Sequence, residues 1–432
     1  MDSNSRKVMD TEKRAPWYYL ALLILAGESV FILPFVLQRV FRPTILKVFE
    51  LNNTELGLCF SVYGVVALVS YFFGGPLADK YPPQKLIAMG LWTTAIGGFY
   101  FATFPEFHYL QILYGYWGFT TIFLFWSPMI KATRVWGGSN SQGKAYGFLD
   151  GGRGLVGAFF GTLGVVVFSW FMADNLEVAD LGESRFAFRK VILVSSAIVA
   201  LVGFMVWFFM KLPKSLEKEI VLEKISMTQI GQVLKLPSVL LLMVIILCAY
   251  VGYKLTDIFS LYASKIMLYD EVDAAKTGAF LFYVRPVVGV CIGIIADRSL
   301  PSYWLFVSFV VSFFGAMLFA LGFVVDTTVF LFLFSILIVT SGIYAARALY
   351  FAVMESGRIP LVLTGTAVGL ISVIGYTPDI FAGAVMGVLL DWSPGLKGHQ
   401  HVFYMIAGFS FIGALAAYRY YKLYKRDERK IS

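Results

Sequence analysis

Gly75-Pro76-Leu77-Ala78-Asp79-Lys80 and Gly293-Ile294-Ile295-Ala296-Asp297-Arg298 are two copies of one short tag, and each closes a long apolar run. One copy alone reads as an ordinary charged turn at a membrane surface. Two copies, one in each half of the chain, read as an internal repeat. Repeated sets of membrane spans around a central site are a plan used by secondary transporters. The fold therefore depends on whether the sequence around the tags divides into two like sets of spans.

The composition allows it. Of 432 residues, 59% are hydrophobic and only 14% are charged, against roughly a quarter charged in soluble domains. A helix needs about 20 apolar residues to cross the hydrocarbon core. Such stretches fall near 17–48, 55–78, 85–104, 108–135, 144–172 and 187–211, then 236–267, 272–296, 301–325, 328–355, 362–390 and 400–420. The expected fold is an all-α integral membrane protein with twelve transmembrane helices in two six-helix pseudo-repeats. The tag follows the second span of each repeat, and no room is left for a sizeable soluble domain. Met1 to Arg14 is polar and lacks a signal-peptide pattern, so the first span is expected to stay as an anchor.

Net charge is +8, and its distribution gives an orientation. Lys80, Lys85, Lys131, Arg134, Lys144, the run from Lys211 to Lys235, Arg298 and Arg358 fall in one set of connections. Glu50, Glu55, Glu106, Asp174 to Glu183, Asp270 to Asp273, Asp326 and Asp391 fall in the alternate set. Basic loops stay on the cytoplasmic side, so both termini are expected there. The expected organisation is a cytoplasmic tail over 1–16, a six-helix bundle over 17–211 and a cytoplasmic linker over 212–235. A second bundle over 236–420 and a basic cytoplasmic tail over 421–432 complete it.

Charged groups inside spans are costly, so they line cavities or pair with one another. Counting about 1.5 Å per residue, Glu28, Arg153 and Arg285 lie near mid-depth. Lys254, with Tyr253 beside it, Arg347 and Asp379 also lie within spans, as do Asp150 and Asp257. Arg39 either joins this set or snorkels to the interface. The basic groups equal or outnumber the acids, so a central cavity with uncompensated cations is expected, suited to an anion because guanidinium chelates carboxylate or phosphate. The candidate substrate-binding residues are Arg39, Arg153, Tyr253, Lys254, Arg285 and Arg347. Glu28 is either a proton-coupling group, since burial and a nearby cation pull its protonation in opposite directions, or a structural partner of an arginine.

The tags resemble the signature that members of the major facilitator superfamily carry between helices 2 and 3 of each half. Here Pro82 stands where a glycine is common. By that resemblance Gly75, Asp79, Lys80, Gly293, Asp297 and Arg298 form a conformational latch. The stretch Trp126-Ser-Pro128-x-x-Lys131 with Trp136 resembles the organophosphate/phosphate antiporter branch, with lysine in place of arginine. Tyr344 to Met354, Thr364 to Gly369 and the pair Phe282-Tyr283 are similar to it too. The branch holds phosphate with one arginine on helix 1 and one on helix 7. Arg39 falls near the first position and Tyr253-Lys254 near the second, while Arg153 stands where the branch has a histidine.

The leading expectation is transport of a small organic anion, phosphorylated or carboxylated, across a bacterial-type inner membrane by alternating access, through exchange or proton symport. Protons or phosphate would be the coupling ion, the lipid bilayer the surroundings and a monomer the working unit. The alternative is a carrier of a neutral or amphipathic solute, its buried charges being structural ion pairs. A membrane enzyme or sensor is a remoter alternative: no catalytic constellation, metal-ligand cluster or nucleotide-binding loop stands out, and Cys59, Cys248 and Cys291 sit at unrelated spacings. No cofactor and no nucleic-acid partner are expected.

Overall fold

In hydrocarbon, backbone groups must be satisfied within their own segment, and the described residues accordingly form twelve helical rods. The computed structural model describes residues 16–137, 142–172, 180–210, 231–350, 352–357 and 364–431. The expected linker and the amino-terminal tail lie largely outside the described residues. So do the side chains of Gly75, Asp79 and Asp297.

The first half comprises α1 (Trp17–Ser29, continuing through Ile32–Val36 and Leu37–Val40), α2 (Asn53–Lys80) and α3 (Pro83–Phe101). It continues with α4 (Phe107–Gly118, then Phe119–Trp126 and Ser127–Gly137), α5 (Gln142–Phe171) and α6 (Leu181–Phe209). The second half comprises α7 (Pro237–Leu255 and Ile258–Lys265), α8 (Glu271–Asp297), α9 (Pro301–Ala320) and α10 (Val329–Leu349), then α11 (Thr364–Gly375 and Pro378–Trp392) and α12 (Leu396–Ile431). Among the described residues nine helices are long and apolar enough to cross a membrane, and bent α1 makes a tenth. The shorter or more polar α3 and α4 complete the pattern. The segment expected as a tail after residue 420 is a helical continuation of α12.

The helix starts differ at the two ends of the molecule. α2, α6 and α8 begin on Asn52, Asp180 and Asp270, whose side chains accept from backbone N–H groups of the first turn. Such caps satisfy donors that the helix itself cannot. α3, α7 and α9 begin instead on Pro83, Pro237 and Pro301, where a missing N–H costs nothing. Acidic and amide caps thus gather at one end, and both tags lie at the other.

Three rods are broken. α1 bends by 44° at Val30-Phe31, one turn before Pro34, which has no N–H to donate back. The chain recovers with a wide turn in which the Val36 N–H donates to the Phe31 carbonyl at 3.1 Å. α7 breaks at Thr256-Asp257 and α11 at Tyr376-Thr377, ahead of Pro378. The sequence shows these rods as single over-long apolar runs, and the breaks account for the surplus length.

The halves meet most closely at the capped end. A Cβ on Gly57 would lie 2.4 Å from the Gly383 carbonyl oxygen, one on Gly387 2.3 Å from that of Asn53, and one on Gly278 2.6 Å from that of Arg39. Glycine is what lets α2 touch α11, and α8 touch α1, backbone to backbone. Towards the tags, Gly151, Gly289 and Gly293 have open space where a side chain would go. Among the described residues no hydrogen bond or ion pair joins the halves on the tag side of Asp150 and Arg285.

Candidate functional site

Tyr253, near the break in α7, is the hub of the interior. The Arg347 Cζ lies 3.7 Å from the centre of its ring, the Arg39 Cζ 4.5 Å and the Arg285 Cζ 5.9 Å. These guanidinium groups come from α10, α1 and α8, so one aromatic ring gathers cations from both halves. Cation–π contacts of this kind contribute about 0.5–2 kcal/mol, the larger figure where water is excluded.

Each break places a charge. The bend in α1 carries Arg39 towards α7, and the break in α7 leaves Asp257 to meet it. Arg39 Nε donates to Asp257 Oδ1 at 2.7 Å, with both side chains 5% exposed. Ser260, just beyond the break, donates to the Arg39 carbonyl at 2.9 Å. The break in α11 presents Asp379, which accepts from Lys254 Nζ at 2.9 Å and from the Tyr250 hydroxyl at 3.1 and 3.2 Å. Lys254 Nζ also lies 4.0 Å from the centre of the Phe35 ring.

Two further pairs lie nearer the tags. Arg153 Nε donates to Glu28 Oε2 at 3.1 Å, and its guanidinium faces the rings of Phe31 and Trp126. Gly157 and Gly27 make room for that pair: a Cβ on Gly157 would lie 3.0 Å from Glu28 Oε1, and one on Gly27 3.2 Å from Arg153 Cδ. Arg285 Nη2 donates to Asp150 Oδ1 at 2.7 Å across the two halves. The Asp150 side chain is 57% exposed, whereas that of Arg285 is 8% exposed.

Arg347 differs from all of these. Among the described residues no carboxylate lies within ion-pair distance of it, and its Nη1 is buried with no hydrogen-bond partner. A buried donor left unpaired costs about 1–3 kcal/mol, and more for a charged group. Its compensation is aromatic: the Tyr253 ring at 3.7 Å and the Tyr250 ring at 5.8 Å from its Cζ.

At the capped end a polar seam joins the halves. Asp391, at the end of α11, accepts from the backbone N–H groups of Asn53 and Thr54 at 3.2 and 2.7 Å. It also accepts from the Asn53 side-chain amide at 3.0 Å and the Thr54 hydroxyl at 2.6 Å. Asn53 Oδ1 in turn accepts from Arg42 Nη2 at 3.4 Å, so fully buried Arg42 reaches Asp391 through one amide. Glu271, at the start of α8, accepts from Lys47 Nζ at 2.6 Å, Ser184 Oγ at 3.0 Å and Thr44 Oγ1 at 3.1 Å. Asp391 thus supplies to α2 the first-turn acceptors that a helix cannot supply to itself, and it does so from the opposite half.

Of the residues chosen from sequence, the structure brings Arg39, Tyr253, Arg285 and Arg347 together. It sets Arg153 and Lys254 to either side, each on its own carboxylate. Glu28 is 4% exposed and is the partner of Arg153. Arg39, open between cavity and interface in the sequence, is buried against Asp257. His399 is buried in the first turn of α12 against Tyr262. In the tags, Lys80 and Arg298 are exposed, whereas any contact of Asp79 or Asp297 lies outside the described side chains. The first tag has another tie: Lys131 Nζ, from the Trp126–Trp136 stretch, donates to the Ala78 carbonyl at 2.8 Å. Sequence reading missed the seam of Asn53, Glu271 and Asp391. The Asn-x-x-Glu cap starting α2 marks a helix terminus, but nothing in it points to a partner in the other half.

A family model described as Major Facilitator Superfamily matches residues 19–378. Inner membrane protein YihN of Escherichia coli (strain K12) is 27% identical over 416 residues, covering 95% of this chain and 96% of that protein. Inner membrane protein YqcE of the same strain is 26% identical over 410 residues, covering 94% of each. Among solved structures, a bacterial homologue of the human lysosomal transporter Spinster, inward-facing and occupied, superposes with a TM-score of 0.72 at 16% identity, over 95% of this chain and 97% of that one. The nucleoside transporter NupG superposes with a TM-score of 0.69 at 14% identity, over 94% and 99%. At those identities the likeness is one of fold.

Proposed function

The chain belongs to the major facilitator superfamily, and from that premise we propose that this multi-pass transporter carries a small organic anion, phosphorylated or carboxylated, across the inner membrane by alternating access. The observation that carries the anion is Arg347, an interior guanidinium with no carboxylate of its own. Donors on such a group suit the paired oxygens of a carboxylate or phosphate. Arg39, Tyr253 and Arg285 form the rest of the binding surface, with Arg153 and Lys254 on its flanks. Exposed Lys80 and Arg298 at the tag end support placing that end, and both termini, in the cytoplasm. The state described here is then closed towards the outside. In the opposite state Gly75, Asp79, Lys80, Gly293, Asp297 and Arg298 would latch the cytoplasmic end.

Coupling is by exchange or by proton symport, and Glu28 separates the two. A proton on Glu28 would release Arg153 from its partner. A Glu28→Gln carrier reconstituted in vesicles should keep substrate exchange and lose its response to an imposed proton gradient. An equal gradient response in wild type and variant would assign Glu28 to holding Arg153 only.

One observation favours a second reading: Arg39, Arg153, Lys254 and Arg285 all have carboxylate partners. A carrier of a neutral or amphipathic solute would use those pairs as structure. Thermal shift on the purified protein decides, because a ligand of the folded state raises the melting temperature with its concentration over Kd. Anions should stabilise the wild type, and Arg347→Gln should weaken their binding by about thirtyfold or more, from the roughly 2–5 kcal/mol lost when one side of a buried charge pair is truncated. Stabilisation by neutral solutes alone, unchanged in the variant, would replace this proposal with the second.

A further inference from the structure

Among the described residues, the charges gathered around Tyr253 leave a single vacancy. Arg39 is matched by Asp257, Lys47 by Glu271, Arg153 by Glu28, Lys254 by Asp379 and Arg285 by Asp150. Arg42, at the capped end, reaches Asp391 only through the Asn53 amide and keeps Nε and Nη1 without partners, but it is not one of the cations around Tyr253. Arg347 is left over, with Nη1 buried and unpartnered. Its Cζ sits over the Tyr253 ring, so the ring covers the guanidinium carbon and the remaining donors lie around its edge.

We infer that the site holds one negative charge and that its ligand is a monoanion, bound through a single carboxylate at Arg347 with Tyr253 as its floor. This rests on the anion-carrier reading above and narrows it against phosphate monoesters and dicarboxylates, which carry close to two charges at neutral pH. A second negative charge finds no free cation. To take Arg39 it must strip Asp257, whose side chain is 5% exposed, and to take Arg285 it must strip Asp150. Stripping Asp257 leaves its charge buried and uncompensated, which is strongly destabilising, and at Arg285 a second charge must compete with Asp150, already bound at 2.7 Å. A monocarboxylate disturbs none of the pairs and fills the one vacancy.

The test is binding to the purified full-length protein by thermal shift and calorimetry, using matched sets on three- to six-carbon skeletons. Each set holds a neutral alcohol or sugar, its monocarboxylic acid, its dicarboxylic acid and its phosphate monoester. The expected result is that monocarboxylates bind at least tenfold more tightly than their dicarboxylate and phosphate counterparts at pH 7.5. Phosphate esters should gain affinity at pH 5, where they become monoanions because their second pKa lies near 6. Arg347→Gln should abolish the monocarboxylate shift, and Arg347→Lys, which keeps the charge, should retain part of it and serve as the folded control. Dianions binding as tightly as monoanions, or more so, would overturn the single-charge inference and leave the anion reading standing. Binding by neutral members only would overturn both. No shift from any monocarboxylate, with dianions active, would also overturn the inference.

Discussion

Asp257→Asn is expected to open the capped end of the protein. The substitution leaves the Arg39 guanidinium buried without its counter-charge, and breaking a buried pair in this way costs about 3–5 kcal/mol. Because Arg39 belongs to the first half and Asp257 to the second, that cost falls only on the state in which the halves meet. An equilibrium between two states should move by a factor of a hundred or more. Ser260 is a ready reporter: it is fully buried and hydrogen-bonded across the halves to the Arg39 carbonyl. In a background freed of Cys59, Cys248 and Cys291, a Ser260→Cys thiol should react with a membrane-impermeant maleimide far faster once Asp257→Asn is added. Arg39→Gln should act alike. The double variant should be milder than the sum of the two, since it leaves no orphan charge. Unchanged labelling in both single variants would show that the pair does not govern closure.

The second large effect is expected at Asp150. Asp150→Asn frees Arg285, whose Cζ lies 5.9 Å from the same Tyr253 ring that Arg347 covers. The site would then hold two unmatched guanidinium groups instead of one. Two unit charges 4 Å apart interact by about 4 kcal/mol at an effective dielectric constant near 20. Even a fraction of that should shift preference from mono- towards dicarboxylates by tenfold or more, measured as the ratio of the two dissociation constants. Arg285 is left buried without its counter-charge, so the variant should also melt lower in the absence of ligand. A loss of affinity for both classes, with the ratio unchanged, would mean that Asp150 only braces α5 against α8.

Depth and burial of the charged residues were legible in the sequence, since apolar runs of fixed length place Glu28, Arg153, Arg285 and Arg347 inside spans. Their pairing was not. The sequence predicts at least two uncompensated cations facing a cavity, whereas among the described cations around Tyr253 only Arg347 lacks a carboxylate. A raw excess of basic over acidic residues measures the whole interior, and only distances say which cations are already matched. The broken rods were half legible: Pro34 and Pro378 stand inside apolar runs, but neither announces that the break will aim a charge at a neighbouring helix.

What the sequence determined by itself is therefore the all-helical membrane architecture, the repeat marked by its two tags and the residues that lie at depth. Each of these depends on local composition and on the fixed rise of a helix. The tertiary structure decided which end is closed, which carboxylate serves which cation, and which guanidinium remains for a ligand. Ion pairs join side chains that the chain keeps far apart, 218 positions for Arg39 and Asp257 and 135 for Arg285 and Asp150. No periodicity along one helix carries that information, because the contact exists only once two helices from different halves have been packed at a particular rotation and height.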